Sequence, residues 1–221
     1  MYTAKNFDHL LGTEGFSDAL LKNHFTLYEG YVKNTNMFLE RLSALAAEDK
    51  AAPGEYAELK RRLGWEWNGM RLHELYFGNM ENGGIELAKG EMIEQKIVAS
   101  FGSMEAWEKE FKTTGAMRGI GWAMLSYDHE ADKLMNVWVN EHDVGHLAGT
   151  TPLLIMDVFE HAFMLDYGLK RADYIEAFMN AIDWSVVNER LVKECDSLRW
   201  EQKRPNNRVF FVKYVCAAYS H

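Results

Sequence analysis

The sequence predicts an α+β fold: a long antiparallel helical hairpin at the N-terminus, then an α/β half with a three-stranded antiparallel sheet and flanking helices. Three observations predict it. Apolar residues recur at helical spacing through roughly the first eighty positions, interrupted once by a Pro-Gly pair. Three short apolar runs follow from residue 119 onward, the first two flanking a polar turn as in a hairpin. Helical spacing then returns after residue 160. With 221 residues, 48% of them hydrophobic and 26% charged, the chain has an ordinary globular composition and enough length for a sizeable core.

The first helix runs from Ser17 to about Glu48. Leu20, Leu21, His24, Leu27, Tyr28 and Tyr31 share one face, and Ser17 is a suitable N-cap. "DKAAPGE", with Pro53 and Gly54, breaks it. A second helix runs from about Glu55 to Met80, and "ENGG" at 81–84 supplies its ending. A short connection between two long helices makes them antiparallel neighbours. "ELAKGEMIEQKIVASFG" and "SMEAWEKEFKTTGAM" read as two shorter helices. "GIGWAMLSYD", "KLMNVWVN" and "TPLLIMDVF" are the strands, with "HEADK" between the first two. Two or more helices follow in "HAFMLDYG" and "RADYIEAFMNAIDWSVVNERLVKEC". The apolar centre of the tail, Val209 to Val215, suits an added strand or packing against another subunit. The expected organisation is a hairpin domain over 1–86, an α/β domain over 87–200 and an extension over 201–221.

Several function classes drop out. A formal charge of −9 without a basic stripe argues against nucleic-acid binding. No apolar run approaches a membrane span. The start, "MYTAKNFDHLLG", lacks the charged and apolar regions of a signal peptide, and the two cysteines, Cys195 and Cys216, form no disulfide framework. A cytoplasmic protein is expected. G-x-S-x-G, a phosphate-cradling loop and a dinucleotide fingerprint are all missing.

The histidines carry the remaining chemistry. His9, His129 and His221 read as surface residues. His24 and His73 sit among apolar residues on the two long helices, so both face inward and meet across an antiparallel hairpin. Asp157 ends a buried strand, where a lone carboxylate is costly to desolvate, and His161 follows four residues later. Three imidazoles and one carboxylate suit Fe or Mn, although no local spacing makes these four converge. The Glu-x-x-His pairs of a di-iron bundle and the second His of a zinc-protease helix are both missing.

"DVFEHAFMLDY" resembles the D-x-W-E-H-A-Y signature of the iron/manganese superoxide dismutase family. "ASFGSMEAWEKEF", "GIGWAML" and "RADYIEAFMNAIDWSVVNER" are similar to further family segments in the same order, and the resemblance extends to about Lys193. It implies dismutation of superoxide to dioxygen and hydrogen peroxide, an antioxidant oxidoreductase activity, at one Fe or Mn ion per chain. The implied ligands are His24, His73, Asp157 and His161. It also implies a homodimer with Glu160 at the interface, or a tetramer. His142 stands where the family's glutamine falls, with Gly69 leaving space for it, so His142 becomes the donor beside the metal site and His146 a weaker candidate. Tyr31 most resembles the gateway tyrosine, one residue closer to His24 than the family pattern, and a missing π-bulge would account for the shift. Tyr28, Phe159 and Met164 depart from the family, which implies an altered hydrogen-bond relay, while Trp122 matches the pocket wall. A non-enzymatic metal-binding or assembly protein and a different redox enzyme are the alternatives on this fold.

Overall fold

The computed structural model describes residues 1–51 and 54–202, with side chains through Asp196. Pro53, Cys216, His221 and the segment 209–215, read as an added strand or packing against another subunit, lie outside the described residues. Helix α1 spans Asp18–Ala47 and α2 spans Glu55–Phe77. The Ser17 hydroxyl accepts from Leu20 N at 3.1 Å, so the expected N-cap is in place. Helix α1 is α-helical throughout, without a π-turn. That places Tyr31, seven residues after His24, on the face that looks into the fold.

Short helices α3 (Met92–Phe101) and α4 (Met104–Gly115) follow. The sequence pattern would start α3 near Glu86, but Gly90 adopts φ +88, outside helical geometry, and helix begins only after it. Strands β1 (Gly121–Asp128), β2 (Lys133–Asn140) and β3 (Thr150–Asp157) form one antiparallel sheet in the order β2-β1-β3. Strand β3 stops at Asp157, two residues earlier than the apolar run, because Asp157 Oδ1 accepts the Phe159 amide at 2.8 Å and turns the chain. A single 3₁₀ turn (Glu160–Ala162) and α5 (Met164–Tyr167) follow.

The last helical run is two helices, α6 (Arg171–Asn180) and α7 (Trp184–Gln202). Asp183 separates them: its Oδ1 accepts from the Ser185 and Val186 amides at 3.0 and 3.2 Å and starts α7. The "NGG" turn docks against this break through an Ile85 N to Ile182 O bond of 2.9 Å. At Gly84, φ is +65 and a Cβ would lie 2.3 Å from Asn180 O, so glycine alone fits there.

One continuous core joins Leu20, Tyr28 and Phe77 of the hairpin to Trp122, Leu154 and Ile155 of the sheet. Polar groups fix the junction. The Asn79 amide pairs with both backbone groups of Ile155, at 2.9 and 3.2 Å, and so closes the outer edge of β3. Arg190, reaching in from α7, donates to Leu153 O at 2.7 Å, Leu75 O at 2.9 Å and Asn79 Oδ1 at 3.2 Å. The end of α2 is thereby bonded to β3, and His73 is brought opposite Asp157.

Candidate metal centre

Four side chains from three parts of the chain meet where the hairpin faces the end of β3. One donor atom from each of His24, His73, Asp157 and His161 lies within 4.8 Å of all the others. Asp157 Oδ2 is the hub. His161 Nε2 stands 3.1 Å from it, His24 Nε2 3.2 Å and His73 Nε2 3.5 Å. His73 and Asp157 are fully buried and His24 nearly so, while the His161 side chain is 25% exposed.

The second nitrogen of His73 decides what the first can do. Its Nδ1 donates to Gly69 O at 2.5 Å, which leaves a lone pair on Nε2. That Nε2 is buried and has no hydrogen-bond partner. An orphaned buried acceptor is costly, and here it is aimed at a carboxylate and two further imidazoles. The donor set of three nitrogens and one anionic oxygen fits an Fe or Mn ion.

The electrostatics agree. Burial pushes the Asp157 carboxyl up, but His161 and His24 outweigh it and hold the group well below the usual carboxylate range. Burial lowers His24 and His73, the latter strongly and with help from His24. Deprotonated imidazoles beside an ionised carboxylate are the forms that bind a cation.

A second layer adjoins these four. The Trp122 indole donates to His142 Nδ1 at 3.1 Å, so the neutral His142 ring carries its proton on Nε2 and donates it to the Tyr31 hydroxyl at 2.7 Å. The phenolic proton of Tyr31 is therefore free for another acceptor. The Tyr31 ring stacks on His73 with centroids 5.3 Å apart. The space at Gly69 is not left for His142 as expected from sequence. The Tyr31 ring takes it, and a Cβ at position 69 would lie 2.5 Å from Tyr31 Cδ1. Gly69→Ala is therefore expected to displace the ring, cost about 1–3 kcal/mol in stability and lower activity about tenfold. Denaturant unfolding and the turnover of the metal-loaded protein measure the two effects.

Burial lowers His142 to about 4. Between that value and the ordinary 6.5 of an unfolded histidine, the unfolded chain binds the extra proton. Its contribution to stability is therefore complete above pH 6.5 and lost as pH falls towards 4, up to about 3 kcal/mol. Unfolding of the metal-free protein from pH 7 to 4 should fall off more steeply than in His142→Gln; parallel curves would contradict this.

His146 is not beside the donor cluster: its Nε2 lies 2.8 Å from His142 O, on an exposed loop. Phe159 stacks between His161 and His142, at 5.0 and 4.8 Å, filling the place of the family's tryptophan with no N–H to donate. The Tyr28 hydroxyl donates to Glu74 at 3.1 Å and accepts from Lys5 N, which ties it to the N-terminal segment. Sequence reading missed Asn79 and Arg190. The available signal was an arginine between Val187 and Leu191 on an apolar helical face.

A family model described as iron/manganese superoxide dismutases, C-terminal domain, matches residues 88–190. An iron superoxide dismutase of Aquifex pyrophilus is 37% identical over 193 residues, covering 84% of this chain and 90% of the relative. A manganese superoxide dismutase of Haloferax volcanii is 38% identical over 164 residues, 73% of this chain and 79% of the relative. An iron superoxide dismutase of Cupriavidus metallidurans is 36% identical over 175 residues, 77% and 85% respectively.

Proposed function

This chain belongs to the iron/manganese superoxide dismutase family and dismutates superoxide with Fe or Mn, and we propose that His24, His73, Asp157 and His161 hold one ion per chain. The orphaned Nε2 of buried His73, facing the Asp157 carboxylate, carries this assignment. When bound, the ion supplies the one-electron couple that oxidises one superoxide and reduces the next.

The chain's own residues manage charge and protons. Asp157 provides the negative charge that keeps a cation in a dry pocket. Reduction of superoxide to hydrogen peroxide consumes two protons, and Tyr31 and His142 hold protons next to the cluster. Burial raises the Tyr31 phenol to about 12, with Asp157 adding to the effect, so it stays protonated at neutral pH. His142 Nε2 supplies the hydrogen bond that orients the phenol. Trp122 fixes the His142 tautomer and closes the pocket wall.

We further propose a homodimer, with Glu160 at its interface, or a tetramer of such pairs. Exposed Glu160 and partly exposed His161 line a crevice of about 420 Å³ with Leu20, Asn23, Met164 and Leu165. Met164 and Leu165 are 42% and 58% exposed, surface that a second copy would bury. The hairpin over 1–86 and the α/β half over 87–200 act as the two jaws of the site. A cytoplasmic location suits a chain with two cysteines and no disulfide framework.

Stopped-flow decay of superoxide with protein loaded separately with Fe and Mn tests the ligand assignment and names the metal. Catalysed decay that disappears in His161→Ala is the expected result. An unchanged rate in that variant would remove His161 from the site.

A further inference from the structure

Superoxide is an anion, and it must approach a protein of net charge −9. Tyr31, stacked on His73, and Trp65 are both half-buried, so this side of the cluster reaches towards the surface. The Trp65 ring edge meets His142 at 4.9 Å. Charged groups surround these two rings. Glu66 is a carboxylate only 5% exposed, one helical turn before Gly69 and thus beside the Tyr31 ring. Its oxygens accept from Arg62 Nε at 3.2 Å and from Asn34 Nδ2, across the hairpin, at 3.2 Å. Arg62 is half-exposed and sits over Trp65, with its guanidinium carbon 4.3 Å from the ring centroid. Exposed Asp143 adds a further negative charge beside His142.

A buried carboxylate at the mouth of a site for an anion is a liability unless it is neutralised. We propose that the Arg62–Glu66 pair sets the field at the entrance, with Arg62 cancelling Glu66 and so governing how fast superoxide is captured. Trp65 and Glu66 together hold the guanidinium in place, and its charge reaches both Tyr31 and His142. Charges at a narrow, low-dielectric entrance act on encounter rate, and added salt screens them. The inference deepens the dismutase reading above and rests on Tyr31 facing the substrate.

The test is kcat/KM for superoxide in metal-loaded wild type, Arg62→Gln, Glu66→Gln and Asp143→Asn, from low to high ionic strength, with metal content measured in each. Glu66→Gln removes the charge and keeps one oxygen for Arg62, while its amide nitrogen takes the other position, where Asn34 can turn its own amide to accept. At low salt, Arg62→Gln should fall about threefold, Glu66→Gln and Asp143→Asn should each rise about threefold, and all should converge on wild type as salt is added. Equal losses in Arg62→Gln and Glu66→Gln at every ionic strength would reduce the pair to a structural clasp and overturn the proposal. So would salt profiles indistinguishable from wild type. Failure of the dismutase reading looks different: wild type itself would then show no catalysed decay at any salt.

Discussion

Asp157→Asn should leave a folded protein that neither retains Fe or Mn nor accelerates superoxide decay above the spontaneous rate. The substitution is nearly isosteric, so the Phe159 amide keeps an oxygen to donate to and β3 keeps its ending. What disappears is the one anionic donor of the cluster, at the atom that all three imidazoles approach. Neutral nitrogens alone compensate a buried cation poorly, because desolvating the ion is repaid mainly by a nearby opposite charge. The loss of affinity should exceed the 10–100-fold typical of an outer hydrogen-bond partner. Metal analysis after dialysis, with far-ultraviolet circular dichroism as the folding control, measures the effect; stoichiometric metal in the variant would refute the role of Asp157.

Arg190→Met should be the costliest single change away from the metal cluster, lowering stability by about 3–5 kcal/mol. Burial pushes the Arg190 guanidinium down to about 10, yet it stays charged at neutral pH and serves three acceptors. Methionine fills much of the volume but leaves the carbonyls of Leu75 and Leu153 without this donor. The damage extends to chemistry, since these bonds align the end of α2 with β3 and hence His73 with Asp157. Lysine should not rescue it, because an ammonium lacks the planar fork that spans the three oxygens. Urea unfolding of metal-free protein measures the loss, and a change below about 1 kcal/mol would show that the junction holds without it.

The fold was legible where side-chain period and turn chemistry agree. Leu20, His24 and Tyr28 recur at helical spacing, and α1 follows them from a Ser17 cap. The two apolar runs either side of "HEADK" gave the β1–β2 hairpin. Element ends were less legible because a single local interaction sets each one: the φ of Gly90 delays α3, and the Asp157 carboxylate cuts β3 short. At the site, His24 and His73 could be recognised as inward-facing from neighbours on their own helices. Their meeting with Asp157 and His161 required the family resemblance, because no spacing along the chain encodes contact across the two halves. Asn79 and Arg190 went unread for the same reason: each acts by crossing from one element to another, and amide and guanidinium groups look like surface residues until their acceptors are known.

The separation of the donors along the chain bears on when the metal enters. His24 and Asp157 touch in the folded protein but lie 133 positions apart. Closing so long a loop is slow and comes after local helices and the β1–β2 hairpin have formed. The four donors are therefore expected to come together only after the elements that carry them have formed. Once folded, three of the four donors are almost fully buried and only His161 is partly exposed, so late entry is expected to need a local opening around them. Metal uptake by refolded apo-protein should therefore reach a rate that no longer rises with metal concentration and that climbs steeply with temperature. Uptake that stays first order in metal throughout would mean that the cluster is open to solvent without such a movement. Which of iron and manganese ends up in the protein would then depend on supply during synthesis as much as on affinity.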